Sequence, residues 1–185
     1  MQGKANKRAP TGRSKARELA MWALYQQQIT GMDQRDIYNQ FLLDSRGSKL
    51  NLDLIADLVS EYIEEMEKAS LKDFDARYFS GADPKYFKEL VLNIPPLAGE
   101  LEDILAAFSD RPIVQLDPVE RSILLIGAYE MRDRLDIPYR VVINEAVELA
   151  KFYGAEDGHR FVNALLDKAS GELRQVERKA RQNKT

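Results

Sequence analysis

The chain has 185 residues, 44% apolar and 31% charged, with a net charge of −3 and no cysteine. That length supports one domain, or two tightly packed subdomains, with ample core, and the missing cysteines exclude disulfides and thiolate metal sites. The longest apolar run, Ile123–Tyr129, is far short of the roughly 20 residues of a membrane helix, and the basic N-terminus has no apolar stretch after it, so a cytoplasmic protein is expected.

The net charge conceals an asymmetry. Residues 1–30 carry six basic groups (Lys4, Lys7, Arg8, Arg13, Lys15, Arg17) against Glu18 alone, a net of +5. Residues 31–110 hold 17 acids and 8 bases, a net of −9, and the tail from Glu172 holds 5 bases and 2 acids. A basic end on an acidic body suits an anionic partner met at one place; a solubilising arm would have the same composition.

Residues 1–10 read as a flexible basic arm, too polar to pack. Helical periodicity runs from Thr11 to Thr30, with Ala16, Leu19, Ala20, Ala23 and Leu24 in one apolar stripe and Gly31 as terminator. A short helix fits Asp33–Leu43. Asn51 can cap a third, Leu52–Ala69, with Ile55, Leu58, Val59 and Ile63 inward and its acids outward. Asp83-Pro84 is a start signal, and Pro95-Pro96 is expected to separate that helix, ending near Asn93, from another over Leu97–Phe108. Asp117-Pro118-Val119-Glu120 repeats the start signal with Glu in a capping-box position, opening a strongly apolar, central helix to about Arg134. Pro138 opens the next helix, which Gly154 ends; Asp157 is expected to cap the last, with Phe161, Val162, Leu165, Leu166, Ala169 and Leu173 at core spacing. No strand alternation appears, so the fold is all-α, with seven or eight helices.

Enzyme signatures are missing. There is no Gly-rich phosphate loop and only one histidine, His159, so a histidine metal cluster is impossible and a Ser-His-Asp triad would have to use that residue. No cofactor or metal is expected. Arg13 and Arg17 lie one turn apart with Tyr25 two turns beyond, which sets two guanidinium groups and a ring along one edge, the ingredients for phosphate contact and base stacking. An internal ion pair for Arg17 and a half-buried Tyr25 fit the same spacing. His159, Arg160 and Phe161 fall in the first turn of the last helix, where free N–H groups favour an anion, although Glu156 and Asp157 already bring negative charge there.

Three segments carry a resemblance: ARELAMWALYQ (16–26), LDPVERSILLIGAYEM (116–131) and IPYRVVINEAVELAKFYGAEDGHRFVNALLDKAS (137–170). Together they resemble the bacterial NusB family of transcription antitermination factors. The resemblance implies two packed helical subdomains, here 11–95 and 96–185, the second ending in the basic tail. It further implies binding of boxA-type RNA in ribosomal transcripts, a heterodimer with the small-subunit ribosomal protein NusE, and assembly with RNA polymerase and other Nus factors against Rho-dependent termination. By matching positions, the RNA side would be Arg13, Lys15, Arg17 and Tyr25 with Asp157, His159 and Phe161. The partner side would be Glu120, with Arg121 and Leu124 adjacent. Self-association through the same surfaces is a further expectation from the family.

Overall fold

The computed structural model describes residues 11–66 and 75–182. The basic arm, the end of the third expected helix at 67–69 and the last three residues lie outside them. Eight α-helices are described: α1 Gly12–Thr30, α2 Gln34–Gln40, α3 Leu52–Met66, α4 Pro84–Ala106, α5 Pro118–Asp133, α6 Tyr139–Tyr153, α7 Gly158–Leu173 and α8 Gln175–Gln182. Short 3-10 segments cover Ala76–Gly81 and Ile113–Gln115. The described residues contain no strand, only one antiparallel bridge between Leu42 and Leu50, and no described helix is long and apolar enough to cross a membrane.

Asn51, Asp83 and Asp117 cap their helices as expected, and Thr11 caps the first. Thr11 accepts the Ser14 N–H, Asp83 those of Lys85 and Tyr86, Asn51 that of Leu54, and Asp117 those of Val119 and Glu120. Each satisfies N–H groups that a helix start leaves without a partner. Gly31 ends α1 in the left-handed conformation at φ 69°, donating its N–H to Gln27. Gly154 ends α6 by turning extended at ψ 166° while its N–H donates to Ala150, and a Cβ there would lie 2.6 Å from that carbonyl oxygen.

α5 is the central helix, packed against α1, α4, α6 and α7, and it is buried almost all round from Val119 to Met131. α1 departs from the single expected stripe. It packs on α2, α3, α4, α5 and the 76–81 turn, so Arg17, Met21, Trp22 and Tyr25 are buried along with the stripe.

The expected break at Pro95-Pro96 does not occur: α4 is one helix through both prolines. Each proline removes a backbone donor and costs a helix interior about 3 kcal/mol. Leu90, Val91, Ile94, Leu101 and Leu105, on both sides of the prolines, are all buried, and burying such a side chain contributes roughly 1.5–3 kcal/mol. A turn at this point would take one half of that set off α1 and α5. The 95/96 boundary therefore falls inside a helix rather than in a linker.

The basic tail is also more than a tail. Arg174 is buried between α7 and α8, and its guanidinium donates to the carbonyls of Met131 (2.6 Å), Glu130 (2.9 Å) and Arg134 (2.8 Å). It thus supplies a donor to the Met131 carbonyl and a second one to the Glu130 and Arg134 carbonyls, which already accept the Arg134 and Ile137 N–H groups.

Candidate nucleic-acid interface

α1 and α5 run antiparallel. Arg17 meets Glu130 at one end, and the Gln28 amide donates to the Pro118 carbonyl (3.1 Å) and Ser122 hydroxyl (2.7 Å) at the other. α6 lies alongside: Glu145 accepts from the Ser14 hydroxyl (3.0 Å), and the Tyr153 hydroxyl donates to Glu18. The start of α7 follows at the Tyr25 end. The candidate residues consequently form two groups, with Arg13 and Tyr25 about 18 Å apart along the α1 axis.

The first group surrounds the start of α1. Arg13 is exposed, 3.7 Å from Asp136, and Lys15 is half-buried with its ammonium 4.7 Å from the Tyr78 ring centroid. Arg17 is not on an exposed edge. Its side chain is 4% exposed, its Nε donates to Glu130 Oε1 at 2.8 Å, and Nη1 is 3.5 Å from Glu145. Two charges that far from water require each other. Burial pushes the Glu130 carboxyl up to about 7, against the pull of Arg17. The Tyr86 ring lies under three guanidinium groups, those of Arg13 (5.2 Å), Arg17 (5.3 Å) and Arg134 (5.0 Å).

Tyr25 is likewise not an open stacking platform. It is buried edge-on against Trp22 (5.8 Å) and Tyr62 (5.5 Å). Trp22 in turn meets Tyr62 and Tyr153, both at 5.1 Å. Burial, with Glu65 nearby, pushes the Tyr25 hydroxyl up to about 12.

The second group is the turn from α6 into α7. Asp157 occupies the capping position but does not cap: it sits at φ 62° with no side-chain hydrogen bond to the helix, and its exposed carboxylate is 3.3 Å from Arg160. A left-handed residue aims its side chain away from the N–H groups a cap must reach. His159 and Phe161 are half-buried, and the Arg111 guanidinium lies 4.8 Å from the Phe161 ring centroid.

The partner candidates are placed differently from expectation. Leu124 is 0% exposed and belongs to the core, because α5 is covered on that side by other helices. Glu120 is buried too, and no hydrogen bond returns from its side chain to Asp117 as a capping box would require. Its Oε1 instead reaches the start of α7, so near that a Cβ on Gly158 would lie 2.2 Å away. That glycine admits a carboxylate to a helix N-terminus, where the dipole favours it, with Arg111 3.9 Å off. Arg121 is half-buried and donates to Glu102 (2.7 Å) and Gln28 (2.9 Å). Arg111 carries no signal in the sequence beyond standing before Pro112.

By class this is an all-helical binding protein, with cations and rings gathered at two places along one buried helix. The NusB family model matches residues 57–170. Transcription antitermination protein NusB of Halorhodospira halophila is 41% identical over 174 residues, 93% of this chain and 91% of that protein. The protein of the same name from Nitrosococcus oceani is 41% identical over 169 residues, 91% of this chain and 92% of its own length. A solved structure of T. maritima NusB shares the fold with a TM-score of 0.57, covering 86% of this chain and 91% of that one at 22% identity. The chain belongs to the NusB family, whose members are antitermination factors and not enzymes.

Proposed function

We propose that this chain is an RNA-binding transcription antitermination factor. It takes boxA-type RNA of ribosomal transcripts as a heterodimer with ribosomal protein NusE, joins the RNA polymerase elongation complex with other Nus factors, and prevents premature Rho-dependent termination. The observation that carries this reading is the 41% identity with an antitermination protein across 93% of the chain. Arg13 and Lys15 neutralise phosphates at one end, and Asp157, His159 and Phe161 meet the strand at the other. Arg17 and Tyr25 serve from beneath, holding α1 against its neighbours. Arg121 is the half-open residue of the partner side, and Glu120 and Leu124 act behind that surface by shaping α5. The acidic body limits affinity for RNA when the protein is alone.

The test is a titration of labelled boxA-type RNA with the full chain, with and without NusE. Tighter binding with NusE is expected; equal affinity in both cases refutes the heterodimer reading. One observation favours a second reading, a protein-interaction scaffold with no RNA role: burial takes Arg17 and Tyr25 off the surface. Replacing Arg13 and Lys15 by alanine separates the two, since unchanged RNA affinity supports the scaffold.

A further inference from the structure

A guanidinium lies over the half-buried ring of Phe161. Arg111, in the loop after α4, rests its guanidinium carbon 4.8 Å from that ring's centroid, with Nη2 3.9 Å from Glu120 Oε2. The Arg111 side chain is 55% exposed and that of Glu120 5%. What meets solvent at this corner is therefore a planar cation, backed by a half-buried ring and a buried carboxylate.

Arg111 also differs from the buried and half-buried arginines elsewhere in the fold. Arg17, Arg121, Arg134 and Arg174 all spend guanidinium N–H groups on carboxylates or carbonyls at hydrogen-bond distance. At 3.9 Å the Arg111–Glu120 contact is too long for a hydrogen bond, so its donors are uncommitted among the described residues. Its backbone is nevertheless restrained and its charge has a partner. Pro112 restricts the Arg111 backbone, Ile113 is buried just beyond, and Glu120, deep in the protein, needs a cation near it.

We propose that Arg111 is the RNA-contacting group at this end of the interface, with Phe161 as its platform and Glu120 as its anchor. The proposal rests on the RNA-binding reading above. A guanidinium offers several N–H donors to phosphate oxygens and a flat face to an unpaired base, and both serve a single strand. Arg111 also joins the two sets of residues assigned above to different partners: Glu120 reaches the RNA side through it.

The experiment measures binding of a labelled boxA-type oligonucleotide by the full chain with NusE over a range of salt concentrations. Arg111→Ala should weaken binding about tenfold, as expected for one hydrogen-bonded charge, and lower the salt slope by about 0.7, one phosphate on a single strand. Arg111→Lys keeps a cation beside Glu120 and so keeps the fold; it should preserve the slope while losing part of the affinity, because an ammonium does not stack. Phe161→Leu should cost less than Arg111→Ala. The proposal is overturned if Arg111→Ala binds as well as the wild type with unchanged slope; a tenfold loss in Phe161→Leu alone would then make the ring itself the contact. If the wild type binds no RNA at any salt concentration, the RNA reading falls and takes this role with it.

Discussion

Replacing Arg17 with methionine keeps most of the side chain's length while deleting its charge. The Glu130 carboxylate, 1% exposed, then loses its 2.8 Å partner, and what remains nearby is Glu145, of like sign, with Arg134 acting from further away. Removing one member of a buried pair costs about 3–5 kcal/mol, which for a chain of this size lowers Tm by roughly 10 °C. The cost depends on pH in a definite direction. Burial holds the Glu130 carboxyl at about 7, above its ordinary 4.5. The folded protein therefore binds this proton more tightly than the unfolded chain does. Its contribution to stability is fully present below pH 4.5 and is lost as pH rises through 7. Once protonated, Glu130 does not need Arg17. Urea unfolding followed by far-UV circular dichroism should show the full loss for Arg17→Met at pH 8 and a much smaller one at pH 5.5. A loss under about 1 kcal/mol at pH 8, well below the expected range, or an equal loss at both pH values refutes the assignment of Arg17 as a buried structural cation.

Arg174→Ala should destabilise by about 3 kcal/mol, because the buried Met131 carbonyl loses its donor and those of Glu130 and Arg134 lose a second, charged one; a thermal melt within 1 °C of wild type refutes the capping role. Glu120→Lys should unfold the protein before it reports on any partner, since it puts a second cation in the buried site beside Arg111; a folded variant that lost only NusE binding would restore Glu120 to the surface. Asp157→Asn removes an exposed charge but no cap, and asparagine tolerates the left-handed backbone. Its melting temperature should hold while RNA binding tightens about fivefold, on the order of 1 kcal/mol. A loss of stability would show that the carboxylate caps α7 in solution.

The helices were largely legible in the sequence because their signals are local. Thr11, Asn51, Asp83 and Asp117 accept N–H groups two or three residues away, and Gly31 adopts the one backbone region other residues avoid. The central place of α5 was legible for the same reason, since a helix apolar all round has to be covered. At Pro95-Pro96 a strong local signal yielded to burial on both sides of it. Of the candidate site, the cations of the first turn and the ring of Phe161 could be listed from the chain, but their exposure could not.

Exposure depends on how many neighbours a helix has. α1 reads as a one-sided helix, and a one-sided helix would show Arg17 and Tyr25 to solvent; it is covered on most sides, so both are inside. Composition, periodicity and caps determined an all-α chain with a basic start. Only the tertiary structure decided that Arg17 belongs to Glu130, that Glu120 belongs to Gly158 and Arg111, and that Arg174 closes α5. Each joins residues 38 or more apart, or groups on different elements, brought together by burial of apolar faces that carry no record of which charges will meet.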